Sequence, residues 1–201
     1  MKEFSTITLD DVKSKMQQKG YQIFTDGKPN IIGIRNSIRD SNQFDDTCFV
    51  WWNEDGKEVS HQYTITTHPG YYYLQNPIAG NRGAAILVPG QYIEIWGLGM
   101  HRKKQYALCQ YFGNVKVYRD NNKDTKLDYD PATIQQGMFG IDGHHAGLND
   151  ADVVGPYSAG CQVWRYHQPH EDLMQDFKRI SAKYKFKKFS YTLLVQEDFT
   201  T

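Results

Sequence analysis

The sequence predicts a mainly β protein, an antiparallel sandwich or barrel with one or two peripheral helices. Between about residues 21 and 118, short apolar runs recur at roughly ten-residue spacing and are separated by turn-forming residues. Aromatic residues make up 14% of the chain, led by 14 tyrosines, and aromatic side chains favour strands. Helical spacing of apolar residues is confined to the two ends of the chain.

Two helices are predicted, one near each end. Residues 8–19 begin with Thr8, a good helix N-cap, and end before Gly20. Residues 169–184 begin with a proline and carry an apolar stripe at helical spacing. That stripe consists of Leu173, Phe177, Ile180 and Tyr184.

The predicted strands lie between these helices, with one more after the second helix. Each is a short run of apolar, β-branched or aromatic residues bounded by Gly, Pro, Asn or Asp. They cover residues 31–34, 47–52, 63–67, 71–74, 84–88, 92–96, 115–118 and 189–195. No linker or repeat interrupts the chain, so we expect one domain over 1–201, with the first helix in 1–20 and the last helix and strand in 169–201.

Charge and hydropathy argue against two classes of function. Lys+Arg and Asp+Glu each number 23, and phosphate binding normally requires a basic excess, so nucleic acid is not an expected partner. No apolar stretch approaches the roughly 20 residues of a membrane span. Residues 1–20 also lack the apolar core of a signal peptide. We therefore expect a soluble chain made in the cytoplasm.

The three cysteines form neither a disulfide framework nor a zinc-binding spacing. Cys48 and Cys109 lie within apolar runs and are predicted to be core residues. Cys161 differs because it ends a Ser-x-Gly-Cys run in a glycine-rich region that spans 137–164. This region is predicted to be the functional part of the chain.

The residues around Cys161 predict nucleophilic chemistry. A thiol needs a nearby base to attack a carbonyl, and His145 and His144 precede it by 16 and 17 residues. Gly160 permits a tight turn in which backbone N–H groups can stabilise an oxyanion. Consecutive residues of a strand point to opposite faces, so only one of the two histidines can face the thiol.

A histidine followed after a loop by Ser158-x-Gly160-Cys161 resembles the signature of the L,D-transpeptidase (YkuD-type) catalytic domain family. Residues 118–124 and 137–141 are similar to a divergent branch of that family shared by phages and Bacteroidetes-like bacteria. The resemblance implies a β-rich fold whose cysteine forms a thioester with a peptidoglycan stem peptide. An amine, or water in carboxypeptidase-like members, then accepts the acyl group.

The resemblance also implies a role for each residue of the motif. Cys161 matches the nucleophile, and the family spacing favours His145 over His144 as the base. Ser158 and Gly160 match the serine and the glycine of the motif. The backbone N–H groups of Gly160 and Cys161 would then form the oxyanion hole.

The chain departs from the family pattern at two positions that help to hold substrate. Ala159 replaces a His, Lys or Arg, and Val163 replaces an Arg or Asn found in many members. Arg165 is the candidate replacement cation, because it is four residues beyond Cys161 and would share its face of a strand. His144 and His101 are further candidates for the substrate-binding wall of the cleft.

A polar segment offers a second, weaker motif. Asp120, Asn122, Asp124 and Asp128 place oxygen ligands at spacings that resemble the first part of a calcium loop. The turn glycine and the acidic twelfth position are absent, and a solvated acidic turn explains the segment equally well. No cofactor is expected to be required, and structural Ca²⁺ is the single candidate.

Three functions remain open at this point. They are acyl transfer on peptidoglycan stem peptides, hydrolysis of cell-wall peptides by a cysteine peptidase or amidase, and glycan or virion binding by a non-catalytic β-sandwich. Rapid alkylation of the thiol at mildly acidic pH would favour an enzyme over a binder. Either enzyme would act at the cell wall after release from the cell or delivery in a virion.

Overall fold

The computed structural model describes residues 1–199, so the last two residues of the predicted domain lie outside the described range. Its α-helices are α1 (Leu9–Gln18), α2 (Tyr71–Gln75) and α3 (His167–Tyr184). Its strands are β1 (Asn30–Arg35), β2 (Asp46–Glu54), β3 (Lys57–Thr66), β4 (Ala84–Leu87), β5 (Gly90–His101), β6 (Gln105–Gln110), β7 (Val115–Asp120), β8 (Gln135–Gly137), β9 (Gly143–His145), β10 (Gln162–Trp164) and β11 (Phe189–Val195).

Eight of these strands form a closed barrel in the order β1-β11-β5-β6-β9-β10-β3-β2. A separate three-stranded sheet has the order β4-β7-β8. β1 pairs with β11, and β9 with β10, in parallel. The other strand pairs within residues 1–199 are antiparallel. The predicted mainly β fold with few helices is confirmed.

The two long helices form where the sequence predicts them. Thr8 and Asp11 make a capping box, in which the Asp11 N–H donates to Thr8 Oγ1 at 3.3 Å and the Thr8 N–H to Asp11 Oδ2 at 2.7 Å. The two unpaired donors at the start of α1 are thus satisfied. α3 begins at His167, two residues before the predicted start, and buries the apolar stripe against the barrel.

The strand predicted at residues 71–74 is wrong, because these residues form the short helix α2. The N–H groups of Tyr73 and Leu74 both donate to the Gly70 carbonyl, at 3.0 and 3.1 Å. Only Leu74 of this segment is fully buried. One buried side chain in each turn is the pattern of a surface helix, and it overrides the strand preference of three tyrosines.

Large aromatic side chains fill the barrel and fix the strands that carry the site. Trp96 Nε1 donates to the Ile141 carbonyl at 2.7 Å, and its ring lies 4.6 Å from that of Tyr191. The Tyr191 hydroxyl donates to Gln162 Oε1 at 2.8 Å, which ties β10 to the opposite wall. A buried hydroxyl is costly without a partner, so these bonds specify one arrangement.

Cys48 and Cys109 are buried, as predicted. Among residues 1–199, no helix combines the length and the apolar character that crossing a bilayer requires.

Candidate active site around Cys161

Cys161 lies in a tight turn at the end of the loop that connects β9 to β10. Gly160 has φ +127°, and a Cβ there would lie 2.4 Å from the Ala85 carbonyl oxygen. Ser158 is fully buried; its hydroxyl accepts from the Gly160 N–H at 3.2 Å and donates to the Cys161 carbonyl at 2.9 Å. Gly160 and Ser158 therefore shape the turn that presents Cys161, and the Ser158 side chain is not among those that line the adjacent cleft.

The register of β9 and β10 decides which histidine faces Cys161. The strands are parallel, with His144 paired to Val163 and His145 to Trp164. Cys161 and Val163 are two residues apart and pack in the same apolar cluster, so they share a face. His144 lies on that face, whereas His145 lies on the face of Trp164. The structure therefore does not place His145 beside Cys161. The prediction for His145 relies on residue spacing, which alone does not fix the register of the two strands.

One ring nitrogen of His144 is held by a hydrogen bond, and the other has no partner within residues 1–199. Its Nδ1 lies 2.9 Å from the His145 carbonyl oxygen, which only accepts, so Nδ1 carries the hydrogen. Nε2 then carries a lone pair, and it is buried with no hydrogen-bond partner among residues 1–199. Burial, followed by the neighbouring His101, lowers the pKa of His144 to about 3. This imidazole is a neutral base in a fixed tautomer.

A second imidazole stacks on the first. The His101 ring lies 4.0 Å from the His144 ring at an interplanar angle of 14°. His101 Nδ1 lies 2.8 Å from Asp142 Oδ2, so the carboxylate orients this ring. Asp142 and His144 are two residues apart across β9, which places both on the side of the strand that faces Cys161.

Cys161 itself is a neutral thiol in this state. Burial, and after it the charge of Asp142, raises its pKa to about 12, while the Asp142 N–H and Arg102 act in the opposite direction. The Sγ atom donates to the Gly140 carbonyl oxygen at 3.4 Å. An attack by this sulfur therefore needs a base that removes the proton as the new bond forms.

The cleft beside the thiol has a volume of about 460 Å³ and a cationic wall. Cys161 and His101 line it together with Arg82, Arg102 and Arg119. Arg119 is buried and lies 4.6 Å from the centre of the Phe139 ring, whereas the other two arginines are exposed. The cleft therefore suits an anionic ligand.

The two backbone N–H groups predicted to form an oxyanion hole differ in their hydrogen bonds. The Gly160 N–H is occupied by Ser158 Oγ, so it is not aimed at a substrate. Within the described part of the chain, the Cys161 N–H donates to no acceptor. The Cys161 amide is thus the available donor of the predicted pair.

Arg165, the cation that the sequence predicts for substrate binding, contacts the β9–β10 loop instead of the cleft. Arg165 Nε donates to the Ala151 carbonyl at 3.0 Å, and its guanidinium lies 3.4 Å from Asp152. Arg165 is not among the residues that line the cleft. It braces the β9–β10 loop, and the cleft takes its positive charge from Arg82, Arg102 and Arg119.

The predicted calcium ligands form a loop closed by its own hydrogen bonds. The Asn122 amide donates to Asp128 Oδ2 at 2.8 Å and to Asp124 Oδ2 at 3.2 Å. Asp120 accepts from the Asp128 N–H at 3.0 Å, and burial raises the pKa of Asp120 to about 6. Among residues 1–199, these carboxylates do not form a group of three ligands with their oxygen atoms close together, and calcium binding stays a prediction.

Sequence reasoning missed Asp142 and the three cleft arginines. Asp142 could have been found from strand alternation, since it is two residues from His144. The arginines come from three separate segments that only the tertiary fold brings together.

No protein-family model, curated protein or solved structure gives a significant match to the chain.

Proposed function

We propose that this protein is a cysteine acyltransferase of the L,D-transpeptidase type, which acts on peptidoglycan stem peptides through a thioester on Cys161. The proposal rests on two observations: Cys161 lines a cationic cleft, and His144 on the neighbouring strand lies on the same face as Cys161. The free lone pair of His144 Nε2 supplies the base that a neutral thiol needs. The resemblance of the motif around Cys161 supports the same assignment.

The first half-reaction makes the thioester. A peptide carbonyl enters from the cleft, and the Cys161 sulfur attacks its carbon while the thiol proton passes to His144 Nε2. The Cys161 N–H stabilises the oxyanion that forms. When the tetrahedral intermediate collapses, the C–N bond breaks and the leaving amine takes the proton from His144.

The second half-reaction reverses these steps with a new acceptor. His144 removes a proton from an incoming amine, which attacks the thioester and regenerates the thiol. Water in place of the amine gives hydrolysis, the carboxypeptidase-like outcome. Both outcomes share one intermediate, so product analysis separates them.

The charge of the cleft supports a substrate with free carboxylates, such as a stem peptide. Arg82 and Arg102 are exposed at the cleft, where a substrate can reach them. Arginine binds carboxylates through two parallel N–H donors, which adds orientation to charge. A substrate of this kind places the site of action at the cell wall.

The test is trapping and turnover with purified disaccharide-tetrapeptides. Intact-protein mass spectrometry should detect an acyl adduct, and peptide mapping should place it on Cys161. Cys161→Ala should abolish turnover and leave folding nearly intact. His144→Gln should slow turnover by about 10²–10⁴-fold, the usual contribution of a general base. His61→Gln, at an exposed histidine on β3, is the matched control.

Two results would contradict the proposal. Full turnover by Cys161→Ala would remove the nucleophile and with it the reaction class. Loss of turnover in a folded His145→Gln protein, with His144→Gln fully active, would return the role of base to the residue that the family spacing selects.

A further inference from the structure

The face of β9 opposite Cys161 carries a second group of reactive side chains. His145, His167 and Glu171 each offer one ligand atom, and these atoms all lie within 4.8 Å of one another. His167 and Glu171 are four residues apart on α3, so they share one side of the helix and face the strand. Strand and helix thus supply two imidazoles and one carboxylate.

The tautomer of His145 leaves its second nitrogen aimed at the carboxylate. Nδ1 lies 3.1 Å from the Gly147 carbonyl oxygen, which can only accept, so Nδ1 carries the hydrogen. Nε2 lies 3.5 Å from Glu171 Oε1. Two acceptors therefore face each other unless a proton or a metal cation lies between them. A ring nitrogen anchored on a backbone carbonyl is the usual support of a histidine that binds a metal ion.

A buried histidine next to the group adds an independent observation. His170 is fully buried, and neither of its ring nitrogens has a hydrogen-bond partner within residues 1–199. Its ring lies 5.4 Å from that of His145. An imidazole with both nitrogens unpaired is costly to bury, so the buried surroundings of the group contain hydrogen-bonding atoms that the described protein atoms do not satisfy.

We propose that His145, His167 and Glu171 bind a divalent transition-metal ion, with Zn²⁺ the best-fitting ion. Two imidazoles and a carboxylate are a zinc donor set, and tetrahedral bonds of about 2.1 Å place ligand atoms about 3.4 Å apart. The His145–Glu171 separation of 3.5 Å already matches that spacing. The site opens to solvent at Glu171, whose side chain is 28% exposed, so water completes the coordination.

This site is independent of the proposed acyl transfer, since it lies on the other face of the strand. Its effect on the fold would be to join the first turn of α3 to β9. The ion would thus hold the strand that carries His144.

The test is Zn²⁺ binding to the full chain after treatment with a chelator, measured by calorimetry and thermal melting. We expect one ion per chain and a Tm rise of about 5–10 °C at a hundredfold excess of Zn²⁺ over Kd. Glu171 and His167 are only partly buried, so the variants Glu171→Gln and His167→Gln should fold. Each should weaken Zn²⁺ binding by at least about tenfold. His61→Gln is the control and should bind as the unmodified chain does.

Cys161→Ala distinguishes this site from zinc bound at the thiol cleft. Binding should survive in Cys161→Ala. In the unmodified chain, X-ray absorption at the zinc edge should detect only N and O ligands. A Zn–S distance of about 2.3 Å would overturn the proposal. Unchanged affinity in both α3 variants, or the absence of saturable binding by the unmodified chain, would overturn it equally.

Discussion

Replacement of Asp45 by Asn should stabilise the protein at neutral and alkaline pH. Asp45 precedes β2, its Oδ1 is buried with no partner among residues 1–199, and Asp46 lies next to it. Burial, and after it the charge of Asp46, raises the pKa of Asp45 from 3.8 to about 7. The folded state therefore favours the protonated carboxyl, and an asparagine side chain reproduces that neutral form.

The sign and size of the effect follow from proton linkage. Because the folded pKa is raised, the stability associated with Asp45 is complete below about pH 4 and is lost as the pH rises to about 7. A shift from 3.8 to about 7, at 1.36 kcal/mol for each pKa unit, corresponds to about 4 kcal/mol. Partial solvent access reduces this to about 2 kcal/mol.

Urea unfolding at a series of pH values measures this difference directly. Asp45→Asn should exceed the unmodified protein by about 2 kcal/mol in unfolding free energy at pH 8 and match it near pH 4. Comparing the two proteins cancels the titration of the buried histidines, which they share. Asp26→Asn, at an exposed aspartate, should show no such dependence. A gain at pH 8 that persists unchanged at pH 4 would refute the argument, because it would not depend on the carboxyl charge.

Three further predictions test the turn, the thiol and the polar loop. Gly160→Ala should lower the unfolding free energy by about 2–4 kcal/mol through backbone strain and overlap with the Ala85 carbonyl. Gly20→Ala is the control, since its Cβ meets open space, and it should lower the unfolding free energy by about 1 kcal/mol. Equal losses of the two variants in urea unfolding would contradict this. Because burial raises the pKa of Cys161 to about 12, the resting thiol should not meet the criterion of rapid alkylation at mildly acidic pH, and a base must activate it during turnover. Its alkylation by iodoacetamide should rise about tenfold for each pH unit between pH 6 and 9, and a rate independent of pH would indicate a preformed thiolate. If residues 120–128 bind calcium, a chelator should lower the Tm and added Ca²⁺ should restore it, and no shift with millimolar Ca²⁺ would identify a plain polar turn.

The parts of the fold that the sequence predicts are those with a strong local signal. α1 has a capping box, and β11 is rich in aromatic, β-branched and aliphatic residues and matches the predicted bounds of 189–195. β9 and β10 have three residues each, and the sequence does not predict them as separate strands. Such short strands exist through partners distant in sequence, so no local pattern marks them.

The candidate site also has features that local sequence predicts and features that only the tertiary structure determines. The importance of Ser158 and Gly160 is readable from the sequence, because a glycine turn needs local chemistry only. The choice between His144 and His145 is not, since it depends on the register of a parallel pair across a 16-residue loop. A shift of one residue in that register would exchange the two faces of the strand.

That register gives β9 two chemically distinct faces, and the backbone of His145 connects them. The His145 carbonyl holds His144 Nδ1, while the His145 side chain points to α3. The Gln105 side chain, on β6, makes two hydrogen bonds to the backbone of His145. Its Nε2 donates to the His145 carbonyl oxygen at 3.1 Å, and its Oε1 accepts from the His145 N–H at 3.1 Å. A carbonyl held in this way cannot move without moving the His144 ring. The position of the His144 ring on the face that it shares with Cys161 is therefore set by its neighbour's main chain, and the side chain of that neighbour is free to serve a separate site.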